Sequence, residues 1–261
     1  MAKIVTHSNF IKFLGTGGAR FVMISQLRSF GGTWISFEGT NIILDPGPGS
    51  LYLCAHAKPK LDPTKLKAII LTHRHLDHCA DVNVMIEAMT NGGFEKKGTL
   101  YCPADAVNDD AVILKYTASH LEHMEFLKPT SFHQIENLGF ETSIRHIHPV
   151  ETYGLKFTID GQTIAFLTDT SFRDDLMDFY QGVDLLVIYV VFFEPKPGID
   201  HLSLVEAEEL IKMVKPRRVL LTHFGMSMLK AKPSLQAENL SKKLGIEVTA
   251  AYDGLRINLP L

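Results

Sequence analysis

The stretch Lys67-Ala68-Ile69-Ile70-Leu71-Thr72-His73-Arg74-His75-Leu76-Asp77-His78 decides the fold. Its first part is an apolar run of strand length. Its last six residues hold four side chains able to ligate a metal: His73, His75, Asp77 and His78. On a regular helix these four positions scatter around the axis. On a loop leaving a strand end they can converge, and imidazole with carboxylate is the donor set that suits zinc or a similar divalent cation. The plain alternative is a polar loop that happens to be rich in histidine. The coincidence of apolar strand, H-x-H-x-D-H and helix onset favours a metal loop.

Outward from this loop, 261 residues suffice for one large α/β domain, and 1–261 is read as a single domain. Apolar residues make up 46% and charged ones 21%, so a sizeable core needs no covalent staple. Cys54, Cys79 and Cys102 are odd in number and lack a C-x-x-C pair, which argues against a secreted disulfide framework. A net charge of −3 offers no general attraction for nucleic acid or anionic membrane. Residues 1–7 show no signal-peptide core, and no apolar run is long enough to cross a bilayer, so a cytoplasmic enzyme is expected.

Strands are expected at 10–14, 33–37 and 41–44, with a further extended run at 21–27. The glycines at 15, 17 and 18 free the backbone for close approach; a phosphate cradle is a weak reading, because no lysine-serine or lysine-threonine pair follows. Asp45, in Asp45-Pro46-Gly47, reads as a carboxylate that supports the metal loop from behind. The periodicity predicts a helix over 80–90, a short strand at 100–102 and a mainly helical stretch over 105–127. His120, His123 and His133 read as surface histidines.

The alternation over 144–148 predicts a strand with His146 and His148 on one face, and Pro149 places His148 at its rim. His148 is the candidate ligand and His146 the alternative. A hairpin across Asp160-Gly161 leads to an apolar strand that ends at Asp169. A short helix over 172–180 and a buried strand over 183–193 follow, then Asp200-His201-Leu202-Ser203 and a helix at Leu204–Val214. A strand over 217–222 ends at His223, a helix covers 234–244, and short strands close the chain. The pattern fits two sheets flanked by helices.

His73, His75, Asp77, His78, His148, Asp169 and His223 all fall at expected strand ends or in the loops beyond them. Seven donors exceed the needs of one tetrahedral zinc and divide into two sets if one carboxylate bridges. A metal pair roughly 3.5–4 Å apart suits hydrolysis. Two divalent cations are therefore expected, zinc first, with manganese or iron also compatible with the donors.

These residues, in this order, resemble the metallo-β-lactamase superfamily over nearly the whole chain. The resemblance implies an α/β fold of four layers, an αβ/βα sandwich of two mixed β-sheets flanked by helices. It implies one metal on His73, His75 and His148, a second on Asp77, His78 and His223, and Asp169 between them, with Asp77 counted among the catalytic residues. His201, followed by Leu202-Ser203, is similar to the histidine of the ribonuclease Z-like phosphodiesterase branch, which contacts the scissile phosphate and assists proton transfer. An imidazole suits both tasks; the plain reading of His201 is a residue beside a helix cap.

Two departures from that branch bear on substrate. Twenty residues lie between His148 and Asp169, where ribonuclease Z inserts a long arm for tRNA, and the glutamate partnering the branch's histidine is missing. Tyr189 falls near its place and Glu194 is a possible substitute. A small or cyclic phosphodiester is thus expected over RNA, with no membrane partner and a homodimer allowed. The alternatives are hydrolysis of a carboxylic ester, thioester or lactone, ribonuclease Z-like RNA processing, and a binding protein that retains the fold.

Overall fold

Apolar runs bounded by glycine, proline and asparagine set the strands, and a computed structural model describes residues 9–108 and 110–261. The reading of residues 1–7 lies outside the described residues. The chain opens with β1 (Phe10–Phe13), α1 (Ala19–Ile24), β2 (Thr33–Phe37), β3 (Thr40–Leu44) and α2 (Ser50–His56). Next come β4 (Leu66–Ile70), α3 (Leu76–Cys79), α4 (Val82–Met89), β5 (Thr99–Cys102), α5 (Lys115–Ala118) and β6 (His123–Phe126). The second half runs through β7 (Phe132–Ile135), β8 (Leu138–Thr142), β9 (Leu155–Ile159), β10 (Gln162–Leu167), α6 (Met177–Tyr180) and β11 (Leu185–Tyr189). It ends with α7 (Leu204–Val214), β12 (Arg218–Thr222), α8 (Met226–Lys230), α9 (Pro233–Leu244), β13 (Glu247–Ala250) and β14 (Arg256–Asn258).

The strands form two mixed seven-stranded sheets, ordered β14-β1-β2-β3-β4-β5-β6 and β13-β12-β11-β10-β9-β8-β7. Each has an antiparallel part, such as β1 with β2 and β8 with β9, and a parallel part, such as β4 with β5 and β11 with β12. The burial pattern follows from this. In β9, Leu155, Phe157 and Ile159 point inward and Thr158 points out, the alternation of a strand with one covered face. In β11 all five residues are buried, because a parallel strand is covered on both faces. Asp160 and Gly161, both at positive φ (51° and 72°), make the tight turn joining β9 to β10.

One apolar cluster, including Ile35, Ile70, Phe140, Phe157 and Val187, fills the space between the sheets. A second packs β10, β11 and β12 against α7 and α9, and a third packs β3, β4 and β5 against α4. The layers are therefore helix, sheet, sheet, helix, the αβ/βα sandwich expected from the resemblance. Among the described residues no helix is long and apolar enough to cross a membrane.

Five local readings are corrected. Residues 21–27 hold no strand; α1 occupies most of the region, burying Val22 while Phe21 and Ile24 are 66% and 72% exposed, so no strand-like alternation of burial is set. The 105–127 stretch holds one turn of α5 and the edge strand β6, whose pairing with β5 overrides helical periodicity. Residues 144–148 are irregular, because their backbone finds scattered partners: His146 N–H donates to the Thr152 carbonyl and Ile147 N–H to Thr170 Oγ1. Over 172–180 the helix contracts to a 3-10 turn (Asp174–Leu176) and α6. His133 is buried rather than exposed, stacked on Phe140 at 4.9 Å between ring centroids, with Nδ1 3.3 Å from Glu125.

Candidate active site

The C-terminal ends of β3, β4, β10 and β12 meet at one edge of the sandwich, where a parallel sheet delivers loop residues to a common point. Asp45 follows β3. His73 and His75 follow β4, and the short helix α3 carries Asp77 and His78. Asp169 follows β10 and His223 follows β12, while His148 comes from the irregular segment after β8 and His201 from the run before α7. His73, His75 and His148 bring ligand atoms within 4.8 Å of one another, as do Asp77, His78 and His223. A further such group joins His73 and His78 to Asp169, and another joins His148 and Asp169 to His201. The seven residues separated in sequence thus come together with His201.

Hydrogen bonds behind the site fix which nitrogen of each ring faces it. Asp45, 3% exposed, accepts from Thr72 N–H and from Thr72 Oγ1–H, both at 2.7 Å. With its proton committed to Asp45, the Thr72 hydroxyl can only accept from His73 Nδ1, 3.1 Å away. His73 Nε2 then carries a lone pair, and this buried atom has no hydrogen-bond partner. His78 Nδ1 lies 3.0 Å from the same Asp45 carboxylate, and His148 Nδ1 lies 2.9 Å from the Asp200 carbonyl. Both rings donate there and turn Nε2 forward. Those forward atoms meet other ring nitrogens at 2.9 Å, His78 Nε2 with His223 Nε2 and His148 Nε2 with His75 Nδ1.

Asp169 lies between the two groups. One carboxylate oxygen is 3.5 Å from His73 Nε2 and 3.3 Å from His78 Nε2; the other is 3.3 Å from His223 Nδ1 and 3.4 Å from His201 Nδ1. Burial pushes the His73 pKa well down and that of His75 to about 4, aided by neighbouring imidazoles, so both rings are neutral donors of electron pairs. Burial works in the opposite sense on Asp77 and Asp169, yet facing histidines, His78 for Asp77 and His223 for Asp169, hold both carboxyls well below the usual range. Against their own burial, His78 is raised by Asp77 and Asp45, and His201 by Asp169. Converging lone pairs, unpartnered buried Asp169 and His73 atoms and a surplus of buried carboxylates fit divalent cations as the missing countercharge.

Other expectations separate here. His146 stands behind the centre, its Nδ1 3.1 Å from the Asp169 carbonyl and its Nε2 3.3 Å from the Tyr180 hydroxyl, and it belongs to none of the candidate metal groups among the described residues. Tyr189 stacks on His223, with centroids 4.8 Å apart at 11°, instead of meeting His201. Glu194 is exposed on the wall of the adjoining cleft, and among the described residues neither it nor Tyr189 hydrogen-bonds His201. The glycine cluster serves close approach: a Cβ on Gly18 would lie 2.3 Å from the His223 carbonyl oxygen. Just beyond it, Ala19 N–H donates to Asp77 Oδ2 at 3.0 Å. Sequence reasoning missed Thr72, Ala19 and Asp200 as supports; two of them act through the main chain, which leaves no signal in residue type.

Ser203 has a structural task of its own. Its hydroxyl accepts from Glu206 N–H while the Glu206 carboxylate accepts from Ser203 N–H, a reciprocal cap at the start of α7. Ser203→Ala is expected to destabilise the fold by ~1 kcal/mol in chemical denaturation. An unchanged unfolding midpoint would show the cap to be idle.

Comparison with known proteins agrees with this geometry. A sequence family described as "Beta-lactamase superfamily domain" matches residues 40–224, from β3 through His223. The chain belongs to the metallo-β-lactamase superfamily of hydrolases. An uncharacterized protein of Methanocaldococcus jannaschii is 30% identical over 95% of this chain and 94% of its own. The probable metallo-hydrolase YhfI of Bacillus subtilis is 28% identical over 61% of this chain and 66% of its own. A ribonuclease Z of Kineococcus radiotolerans is 30% identical over 42% of this chain and 33% of its own. Among solved structures, YhfI superposes with a TM-score of 0.78 at 22% identity, covering 96% of this chain and 99% of that one. A diphosphatase from the PhnP family gives 0.71 at 21% identity, covering 96% and 97%.

Proposed function

We propose that the protein is a dinuclear-metal phosphodiesterase acting on a small or cyclic phosphodiester. His73, His75 and His148 would hold one cation, Asp77, His78 and His223 the other, with Asp169 shared; zinc suits the donors best. Such a pair supplies an acidified water and neutralises charge developing on the phosphoryl oxygens. The observation that carries the reading is the position of His201: it lines the cleft, with Nδ1 3.4 Å from Asp169 and its ring 5.1 Å from that of His148. With Nδ1 turned toward Asp169, His201 would offer Nε2 to contact a phosphoryl oxygen and to pass a proton to the leaving alcohol. Asp77, tied by Ala19 N–H and flanked by His223, keeps one side of the centre anionic and correctly turned. Relatives named ribonuclease Z and the PhnP-family diphosphatase support phosphoryl chemistry in this branch. Three free, buried thiols suit the reducing cytoplasm.

His201→Ala is expected to lower turnover of bis(p-nitrophenyl) phosphate by ~10²–10⁴-fold while leaving metal content unchanged. Undiminished turnover would remove His201 from the chemistry. If lactones or acyl thioesters are hydrolysed and phosphodiesters ignored, the site is an acyl hydrolase.

A further inference from the structure

The metal-side residues His75, Asp77 and His201 form the inner end of a cleft of about 1290 Å³. That exceeds the usual 300–1,000 Å³ of a small-ligand pocket and is far more than one phosphate requires. One wall is α1, which presents Phe21, Val22 and Met23; the facing wall is the segment after β11, including Phe192, Phe193 and Ile199. α8 closes the third side with Met226. Phe21 is 66% exposed and Leu76 61%, so apolar surface continues from the centre to the rim. Solvent-facing apolar surface of this kind, continuous with a reactive site, is what a ligand covers.

The same cleft carries three cations, Arg20, Lys196 and Lys230. Elsewhere some exposed cations pair off, Lys212 and Lys243 with Glu208, Arg217 with Asp184, and Arg218 with Glu247, while others such as Lys60 and Lys128 make no ion pair among the described residues. What distinguishes the cleft is that its three share one apolar-walled recess. Among the described residues, none of the three in the cleft has an acidic partner; Lys196 lies 5.5 Å over the Phe192 ring. Glu194 is the lone acid of the outer wall. On a chain of net charge −3 this is a local excess of positive charge in the cleft beside the candidate site.

We infer that the non-reacting arm of the substrate is a bulky apolar or aromatic group bearing its own negative charge. The apolar walls receive the body of the arm, and Arg20, Lys196 and Lys230 receive its anion. The inference rests on the phosphodiester reading for what happens at the inner end, but not for the chemistry of the cleft walls. A polynucleotide is disfavoured, because three cations and one acid do not make the long basic track that a backbone needs.

Calorimetric titration of the purified metalloprotein with biphenyl-4-sulfonate, a poor metal ligand, tests the walls alone. The sulfonate is expected to bind at least about tenfold more tightly than biphenyl-4-methanol, with an affinity that falls as salt rises. Arg20→Ala/Lys230→Ala should remove most of that advantage. Kinetics then compare 4-carboxyphenyl, phenyl and choline p-nitrophenyl phosphodiesters, expected to rank in that order by kcat/KM, with the carboxyl preference read mainly in KM. Equal binding of sulfonate and alcohol, or a preference that the double variant retains, overturns the inference. A single-stranded oligonucleotide that displaces the sulfonate at lower concentration overturns it in favour of nucleic acid. Sulfonate selectivity without turnover of any phosphodiester upholds the inference and sinks the proposed reaction instead.

Discussion

Asp169→Ala is expected to slow phosphodiester hydrolysis by at least about a thousandfold, the size of effect that follows from losing several kcal/mol of electrostatic stabilisation. The carboxylate lies 3.3–3.5 Å from nitrogens of His73, His78, His201 and His223, so it addresses both candidate cation positions and the proposed proton-transfer residue together. Mass-spectrometric metal analysis should show occupancy falling from two cations per chain to one or fewer. Asp169→Asn keeps the shape and loses the charge. If the bridging charge matters, Asn should resemble Ala in metal content. A variant that keeps two cations and wild-type turnover would remove Asp169 from the centre.

The second large effect is expected at a residue that touches neither cation nor substrate. Asp45→Ala removes the acceptor of Thr72 N–H, Thr72 O–H and His78 Nδ1–H in a place where water does not reach. Leaving these donors unpaired costs ~1–3 kcal/mol each. At ~2–4 °C per kcal/mol for a chain of this size, a drop of about 10 °C in the melting temperature of the metal-stripped protein is expected. The same change frees Thr72 and His78 to reorient, and with Thr72 the tautomer of His73. Metal affinity should therefore fall ~10–100-fold at both positions, measured by competition with a chelator. Loss at one position alone would show that the path through Thr72 to His73 carries nothing.

The sequence discloses some parts of this molecule more readily than others, for physical reasons. β4, β10, β11 and β12 were legible because strands covered on both faces carry unbroken apolar runs, such as Ala68-Ile69-Ile70, Ile164-Ala165-Phe166-Leu167 and Val219-Leu220-Leu221. α7 was found with both ends correct, since Ser203 and Glu206 form its cap and the buried Leu204, Ala207, Leu210 and Ile211 recur at helical spacing. Residues 105–127 were misread because a one-turn helix and an edge strand with four exposed residues offer no periodic burial to detect. His133 looked like a surface residue because its cover, Tyr101 and Phe140, comes from two other strands. The candidate ligands stood out by their place at strand ends. Their tautomers did not, because Asp45 reaches Thr72 across 27 positions and His148 relies on a main-chain carbonyl.

The closing strand also sets an order of events during biosynthesis. β14 is the outer neighbour of β1, with Phe10 opposite Asn258. Asp253 accepts hydrogen bonds from Thr16 Oγ1 (2.6 Å) and from Ser29 N–H (2.7 Å), holding the glycine segment that packs Gly18 against His223. A nascent chain on the ribosome therefore carries β1 with an open edge, and its glycine segment unmoored, until residues 253–258 emerge. Exposed edges of this kind invite pairing with other chains.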